Sequence, residues 1–268
     1  MVLCPLVSSP RPQPADGCAP AWPAIERTQK QMAAEYWLVS QPDHAALAGA
    51  LAANFLAPDF PRIDPPIARA IAVHDAGWAI FDSEARLAAA PPADSRGKPL
   101  SFLEIDPADF LRAWDASIAR AESVCADGGY IVSRHFCALG EGRLNSGFDN
   151  AGNTAFIRAF LDGEARRQQR LQAQSGKSLA ELEELVRVLQ FCDLLSLYLC
   201  CGAADSVEFP QPFAPGKVRI RREKECFCLD PSPFRAPGAP QEMLSLGVEA
   251  RRYPSSAVRM TTLAFLLG

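Results

Sequence analysis

The chain has 268 residues and a mass of 29.0 kDa, with 49% hydrophobic and 22% charged residues. These are ordinary proportions for a globular protein able to bury a substantial core in one large domain, or in one domain with an appendage. A formal net charge of −4 and a pI near 5.5 give no basic footprint and argue against nucleic acid as a partner. No apolar run reaches membrane-span length, because Gln190 and Asp193 interrupt the best candidate. The nine cysteines include no C-x-x-C pair and the N-terminus has no signal-type pattern, so a cytoplasmic location without membrane partners is expected.

Residues 1–31 scatter Pro5, Pro10, Pro12, Pro14, Pro20 and Pro23 among Ser, Ala and Gly without a sustained period, and are expected to form a loose extension outside the fold. Glu35 to Val39 is aromatic and β-branched and reads as a short strand. With Asp43 as N-cap, a helix follows on which His44, Leu47, Ala48, Leu51 and Phe55 share a face. Pro65-Pro66 opens a second helix predicted to continue through Phe81. On it Ile67, Ile71, His74, Trp78 and Phe81 face one way, and Asp75 lies about 100° round from His74. Residues 88–105 are punctuated by Pro and Gly and read as a loop able to rim a pocket.

Asp106-Pro107 caps a helix to about Val124, Gly128-Gly129 breaks the chain, and Tyr130 to Leu139 is helical with Ile131, His135 and Leu139 aligned. The Gly- and Asn-rich stretch 140–155 reads as a loop before a helix from Phe156 to Gln174, whose Arg166, Arg167 and Arg170 face solvent. Ser178-x-x-Glu181 is a capping box opening the most hydrophobic helix in the chain. Its stripe Leu182, Val186, Leu189, Asp193, Ser196, Cys200 places a carboxylate where leucine is expected. Beyond Asp205, Val218 and Ile220 alternate with basic residues, and Leu244, Leu246, Val248 and Ala250 alternate again, predicting a small antiparallel sheet that the 35–39 strand can join. Pro254-Ser255-Ser256 starts a last helix to Leu267. The expected fold class is α+β, mainly α: a helical domain over 32–204 with a small antiparallel β appendage over 205–268 packed on it.

All three histidines fall on inward stripes, and Asp193 is the lone charge in VLQFCDLLSLYLCC, residues 188–201. An ionised carboxylate inside an apolar helix costs several kcal/mol, roughly, unless a partner or a metal compensates it. His44, His74, Asp75 and Asp193 form a mixed nitrogen and oxygen set suited to Mn, Fe, Co, Ni or Zn rather than Ca or Mg. His135 is then a hydrogen-bonding group behind the ligands, an acid for a leaving group or a ligand to a second ion. Arg134 and Lys98 are candidates for holding a small anionic substrate, with Trp78 either a pocket wall or, like Trp37, more often a core residue. The structural alternative pairs Asp193 with Arg134 in a buried network, and a single inward histidine is more often a satisfied core residue. Cys226-x-Cys228 fits strand alternation better than a metal site, and the Arg219 to Lys224 segment reads as the solvent face of a strand.

The order His44, His74-Asp75, His135, Asp193 on four helices resembles the HD superfamily of metal-dependent phosphohydrolases, whose motif is H, then HD, then D on successive helices of an all-α bundle. The chain is also similar to a bacterial family, domain of unknown function 3891, through QPDHAALAG (41–49), AVHDAGW (72–78), KPLSFLE (98–104), VSRHF (132–136) and FCDLLSLYLC (191–200). That family implies no established activity. The HD resemblance implies an HD-like bundle and hydrolysis of a small-molecule or nucleotide phosphoester, with Asp75, His135 and Arg134 in catalysis. Two-metal HD proteins usually need further histidines, and none is left once His135 is used, so one divalent transition-metal ion is expected. The same shortage weighs against the di-iron oxygenase branch, a third reading after a non-enzymatic metal- or ligand-binding or purely structural scaffold. Gly77-Trp78 follows the HD pair where many HD hydrolases carry lysine or another polar residue.

Overall fold

A computed structural model of the chain describes residues 1–6, 18–82, 91–147, 149–203, 205–235, 243–255 and 260–268. Strand β1 (Val2–Leu6) forms one edge of the sheet. It pairs antiparallel with β3 (Glu35–Val39), Val2 opposite Val39 and Leu6 opposite Glu35. The loose extension expected over 1–31 is thus corrected where residues are described, and 7–17 lie outside them. Its prolines read as disorder, but an edge strand tolerates Pro5 because one side of its backbone needs no ladder donor. The open edge is capped by the buried Gln29 side chain, which accepts from the Leu3 N–H at 2.9 Å and donates to the Leu3 carbonyl at 2.8 Å. Gln29 ends α1 (Ala21–Gln29), which follows the two-residue β2 (Ala19–Pro20).

Among the described residues, the body of the chain is carried by α2 (Gln41–Ala53), α3 (Pro65–Ala72), α4 (Pro107–Glu122), α5 (Ala126–Ser146), α6 (Ala151–Gln174) and α7 (Leu179–Cys200). The N-cap of α2 is Ser40 rather than Asp43, its hydroxyl accepting from the Asp43 N–H at 3.1 Å. The capping box of Ser178 and Glu181 opens α7 as expected. Gly128 and Gly129 do not break the chain; they lie in the first turn of α5, where neighbouring helices leave no room for a side chain. A Cβ on Gly128 would meet the Ala70 Cβ at 2.5 Å, and one on Gly129 the Glu122 Cβ at 2.8 Å. The predicted loop over 140–155 shrinks likewise, α5 ending at the left-handed Gly147 (φ 68°) and α6 opening at Ala151.

Five further strands complete the sheet: β4 (Val207–Phe213), β5 (Gly216–Glu223), β6 (Cys226–Asp230), β7 (Leu244–Tyr253) and β8 (Met260–Leu267). The order is β1-β3-β7-β8-β6-β5-β4-β2. β2 with β4 and β6 with β8 run parallel, and the other pairs are antiparallel. The expected fold class is therefore wrong in its β part. In place of an HD-like helical bundle with a small antiparallel appendage, the helices share the molecule with an eight-stranded mixed sheet drawing on both ends of the chain. The helix expected to reach Leu267 is β8, which pairs with β7 from Arg251 opposite Met260 to Leu244 opposite Leu267. MTTLAFLL is ambiguous as an isolated segment, and the long partner strand decides it. Of the segment where that helix was to start, Pro254 and Ser255 are not helical, and residues 256–259 lie outside the described residues.

Helix α7 is buried along most of its length and packs against α2, α5 and β4. Phe55 and Phe60 meet Phe191 of α7 and Phe213 of β4 in an edge-to-face aromatic cluster that joins helices to sheet. Among the described residues no helix is long and apolar enough to cross a membrane.

Candidate metal centre

His44 lies in the first turns of α2 and Asp193 midway along α7, and the packing of these two helices brings them face to face. The remaining pair arrives by a route the periodicity did not give. α3 stops at Ala72, and His74 and Asp75 occupy a turn that passes into a 3-10 turn at Ala76–Trp78. Two glycines make this possible. A Cβ on Gly49 would lie 2.4 Å from the Ala72 Cβ, so α2 and α3 approach closely only because it has none. A Cβ on Gly77 would lie 2.0 Å from the Ala113 carbonyl oxygen of α4.

The side chains converge. His44 Nε2 lies 3.2 Å and His74 Nε2 3.3 Å from Asp193 Oδ1. Asp75 Oδ2 stands 3.5 Å from His44 Nε2 and 3.9 Å from His74 Nε2. The two imidazoles are perpendicular, with centroids 5.4 Å apart. The ligand atoms of His44, His74 and Asp193 all lie within 4.8 Å of one another, so these three form a cluster able to hold a metal ion, with Asp75 a looser fourth member. Metal–ligand bonds of about 2.0–2.2 Å place adjacent ligand atoms about 3.0–3.5 Å apart, which the closest separations match. His135 faces the same carboxylate from α5, its Nε2 3.8 Å from Asp193 Oδ2, too long for a hydrogen bond. The Nδ1 atoms of His44 and His135 are buried without a hydrogen-bond partner among the described residues.

His74 Nδ1 lies 2.8 Å from the Ile71 carbonyl, an acceptor only, so Nδ1 carries a proton and neutral His74 presents a lone pair on Nε2. Both sides of the electrostatics are buried. Burial pulls the His74 pKa down, but Asp75 and Asp193 outweigh it and hold it at about 9. Burial pushes Asp193 up, but hydrogen bonds to His44 and His74 and the nearby His135 hold it well below the carboxylate range. Asp75 is raised by burial, which the imidazoles only partly offset. Burial brings His135 down to about 4 despite Asp193, so it is neutral at pH 7. Because the folded His74 pKa lies above the ordinary histidine value of 6.5, metal-free protein holds this stabilisation in full below about pH 6.5 and loses it as pH rises through about 9. A metal ligand must be unprotonated, so cobalt uptake at pH 7.5 is expected to release roughly one proton from His74. Calorimetric titration in buffers of different ionisation enthalpy reads that number, and heats independent of the buffer would contradict the assignment.

The other candidates are placed elsewhere. Arg134 donates through Nε to Glu183 Oε1 at 3.1 Å, an oxygen that also accepts from the Tyr130 hydroxyl at 3.0 Å. The Asp193–Arg134 network therefore does not form; imidazoles face that carboxylate instead. Lys98 is buried with its ammonium on Glu104 Oε2 at 2.9 Å, and the part of its loop before Pro91 lies outside the described residues. Trp78 is buried against Phe81, a core position rather than a pocket wall. Sequence reasoning missed Asp82, a buried carboxylate that accepts from the Gln41 N–H at the start of α2, and Ser117, which accepts from the Gly77 N–H at 2.9 Å. The glycines beside the histidine motifs, Gly49 and Gly77, were the available signal.

Comparison with curated proteins and with solved structures finds no match. A family model described as "Protein of unknown function (DUF3891)" matches residues 28–248, a span that contains His44, His74, Asp75, His135 and Asp193. The chain belongs to the DUF3891 family.

Proposed function

We propose that the protein binds one divalent transition-metal ion through His44, His74 and Asp193, with Asp75 beside it and the fourth position open to water, and uses it to hydrolyse a small phosphoester. The observation that carries this reading is the convergence of two imidazole Nε2 atoms on one oxygen of Asp193, at 3.2 and 3.3 Å, in a buried setting. Two nitrogens with carboxylate oxygens favour Mn, Fe, Co, Ni or Zn. Held by these residues, such an ion would supply Lewis acidity, lowering the pKa of a bound water toward about 7 and polarising a phosphoryl oxygen. Asp75, whose carboxyl burial raises, would take the proton of that water. Hydrolysis would form one P–O bond from the water oxygen and break the P–O bond to the alkoxide, which would recover the proton taken up by Asp75. His135 is neutral and serves as a hydrogen-bonding partner of the water or the leaving oxygen. Lys98 and Arg134 are committed to Glu104 and Glu183, so the ion itself supplies the positive charge that a phosphate needs. The choice of phosphoester rests on the H, HD, D order of the ligands and its likeness to HD phosphohydrolases.

Elemental analysis of purified protein, followed by hydrolysis of p-nitrophenyl phosphate and nucleoside monophosphates with each metal, tests this. Expected are about one ion per chain and activity abolished by chelator and restored by metal. Full metal occupancy without turnover on the panel would reject the phosphoester, and no metal uptake would reject the centre. A second reading has its own observation: two histidines and one aspartate on a single triangle are also the donor set of mononuclear iron oxygenases. Anaerobic iron loading with nitric oxide, read by electron paramagnetic resonance, separates the two.

A further inference from the structure

We propose that Ser117, on a helix that contributes no ligand, is the positioning residue of the metal centre. The inference rests on the metal-binding reading above. In an uninterrupted helix the Gly77 N–H would donate to the Val73 carbonyl four residues back. Here the Ala76 N–H takes that carbonyl at 3.0 Å, and the Trp78 N–H takes the Asp75 carbonyl at 3.1 Å. This tightening ends α3 and aims His74 and Asp75 at Asp193. It also frees the Gly77 N–H, and the donor is caught from across the molecule by Ser117 Oγ at 2.9 Å. Ser117 is fully buried, so water is poorly placed to replace it.

The contact is specific in shape as well as in hydrogen bonding. Gly77 sits over the ridge of α4 formed by Ala113, Ala116 and Ser117, where a Cβ would meet the Ala113 oxygen at 2.0 Å and the Ala116 Cβ at 2.9 Å. Backbone therefore lies directly on α4, and the polar side chain of that ridge stands opposite the donor that the turn has freed. Asp75 is two residues before Gly77 and His74 three, so a shift of the turn moves both against Asp193 and His44.

Titration with Co(II), followed by its visible absorption, tests the role in the full-length protein. Ser117→Ala is expected to weaken cobalt binding roughly ten- to a hundredfold and to change the absorption bands, as loss of a group that orients ligands does. Thr28→Val removes another fully buried hydroxyl hydrogen bond, to the Ala24 carbonyl in α1. It should lower thermal stability without moving either cobalt readout. Should Ser117→Ala fail to fold, Ser117→Cys keeps nearly the volume with a much weaker acceptor and is expected to shift affinity in the same direction. Wild-type affinity and spectrum in the folded Ser117 variant would overturn the inference while leaving the metal centre standing. A wild-type chain that takes up no cobalt would overturn both.

Discussion

Asp193→Ala is expected to remove most of the affinity for metal. A complete structural zinc site yields roughly 10–16 kcal/mol, so one ligand in four corresponds to about 3 kcal/mol, or about a hundredfold in the dissociation constant. The substitution also acts on metal-free protein. His74 is held at about 9 in part by Asp193, and without that carboxylate its imidazolium gives up its proton in the buried site. Proton loss limits the damage at neutral pH. At pH 5 and below, where the imidazolium contributes in full, the variant should lose more stability than at pH 7.5, the part of the His74 shift that Asp193 supplies going with it while Asp75 keeps the rest. Asp193→Asn keeps the shape and separates charge from packing. It should fold close to wild type at pH 7.5, lose stability at pH 5 with the charge that holds the His74 imidazolium, and bind cobalt at least tenfold more weakly, since an amide oxygen is a poor replacement for a carboxylate. Cobalt titration and thermal denaturation at pH 5 and 7.5 check both variants, and unaltered cobalt affinity in Asp193→Asn would remove the carboxylate from the coordination sphere.

Gly77→Ala should be among the most damaging small substitutions in the chain. Its Cβ would be forced to within 2.0 Å of the Ala113 carbonyl oxygen and 2.9 Å of the Ala116 Cβ, a clash with backbone that no rotamer relieves. Overpacking of this kind costs about 3 kcal/mol or more, which lowers the melting temperature by roughly 6–12 °C in a protein of this size. The relief available is to lift the turn off α4, breaking the Gly77–Ser117 hydrogen bond and withdrawing His74 and Asp75 from Asp193. Loss of cobalt binding should therefore accompany the loss of stability. Gly142→Ala is the matching control. Gly142 lies within α5, and a Cβ there would have nothing within 4 Å, so alanine should stabilise the helix by about 0.5–1 kcal/mol and leave the metal untouched. A Gly77→Ala protein with wild-type melting temperature would show that the turn is free to move away from α4.

The candidate site was more legible than the fold that builds it. His44, His135 and Asp193, each on an apolar stripe of a helix that forms, could be read as inward-facing from spacing, whereas His74 is buried as expected but from a turn and not from the helix its spacing assumed. His44, His74, Asp75 and Asp193 do meet, and His135 faces them. The anion-binding roles given to Arg134 and Lys98 had no such constraint behind them. A long cation reaches many acids, and here Glu183 and Glu104 engage them.

The sequence by itself determined the start of α7 through its capping box, the helices opened by Pro65 and Pro107, and the inward set of ligand-type residues, all of them local patterns of hydrogen bonding, ring geometry or polarity. Only the tertiary structure decided that the first residues are a sheet edge, that the last segment is a strand, and that α3 stops before the HD pair rather than after it. The physical reason is common to the three. β1 and β8 acquire their hydrogen-bond partners from strands distant in the chain, and the turn at His74-Asp75 exists because α4 accepts its freed donor and leaves no space for a side chain at Gly77. No window of neighbouring residues contains those partners.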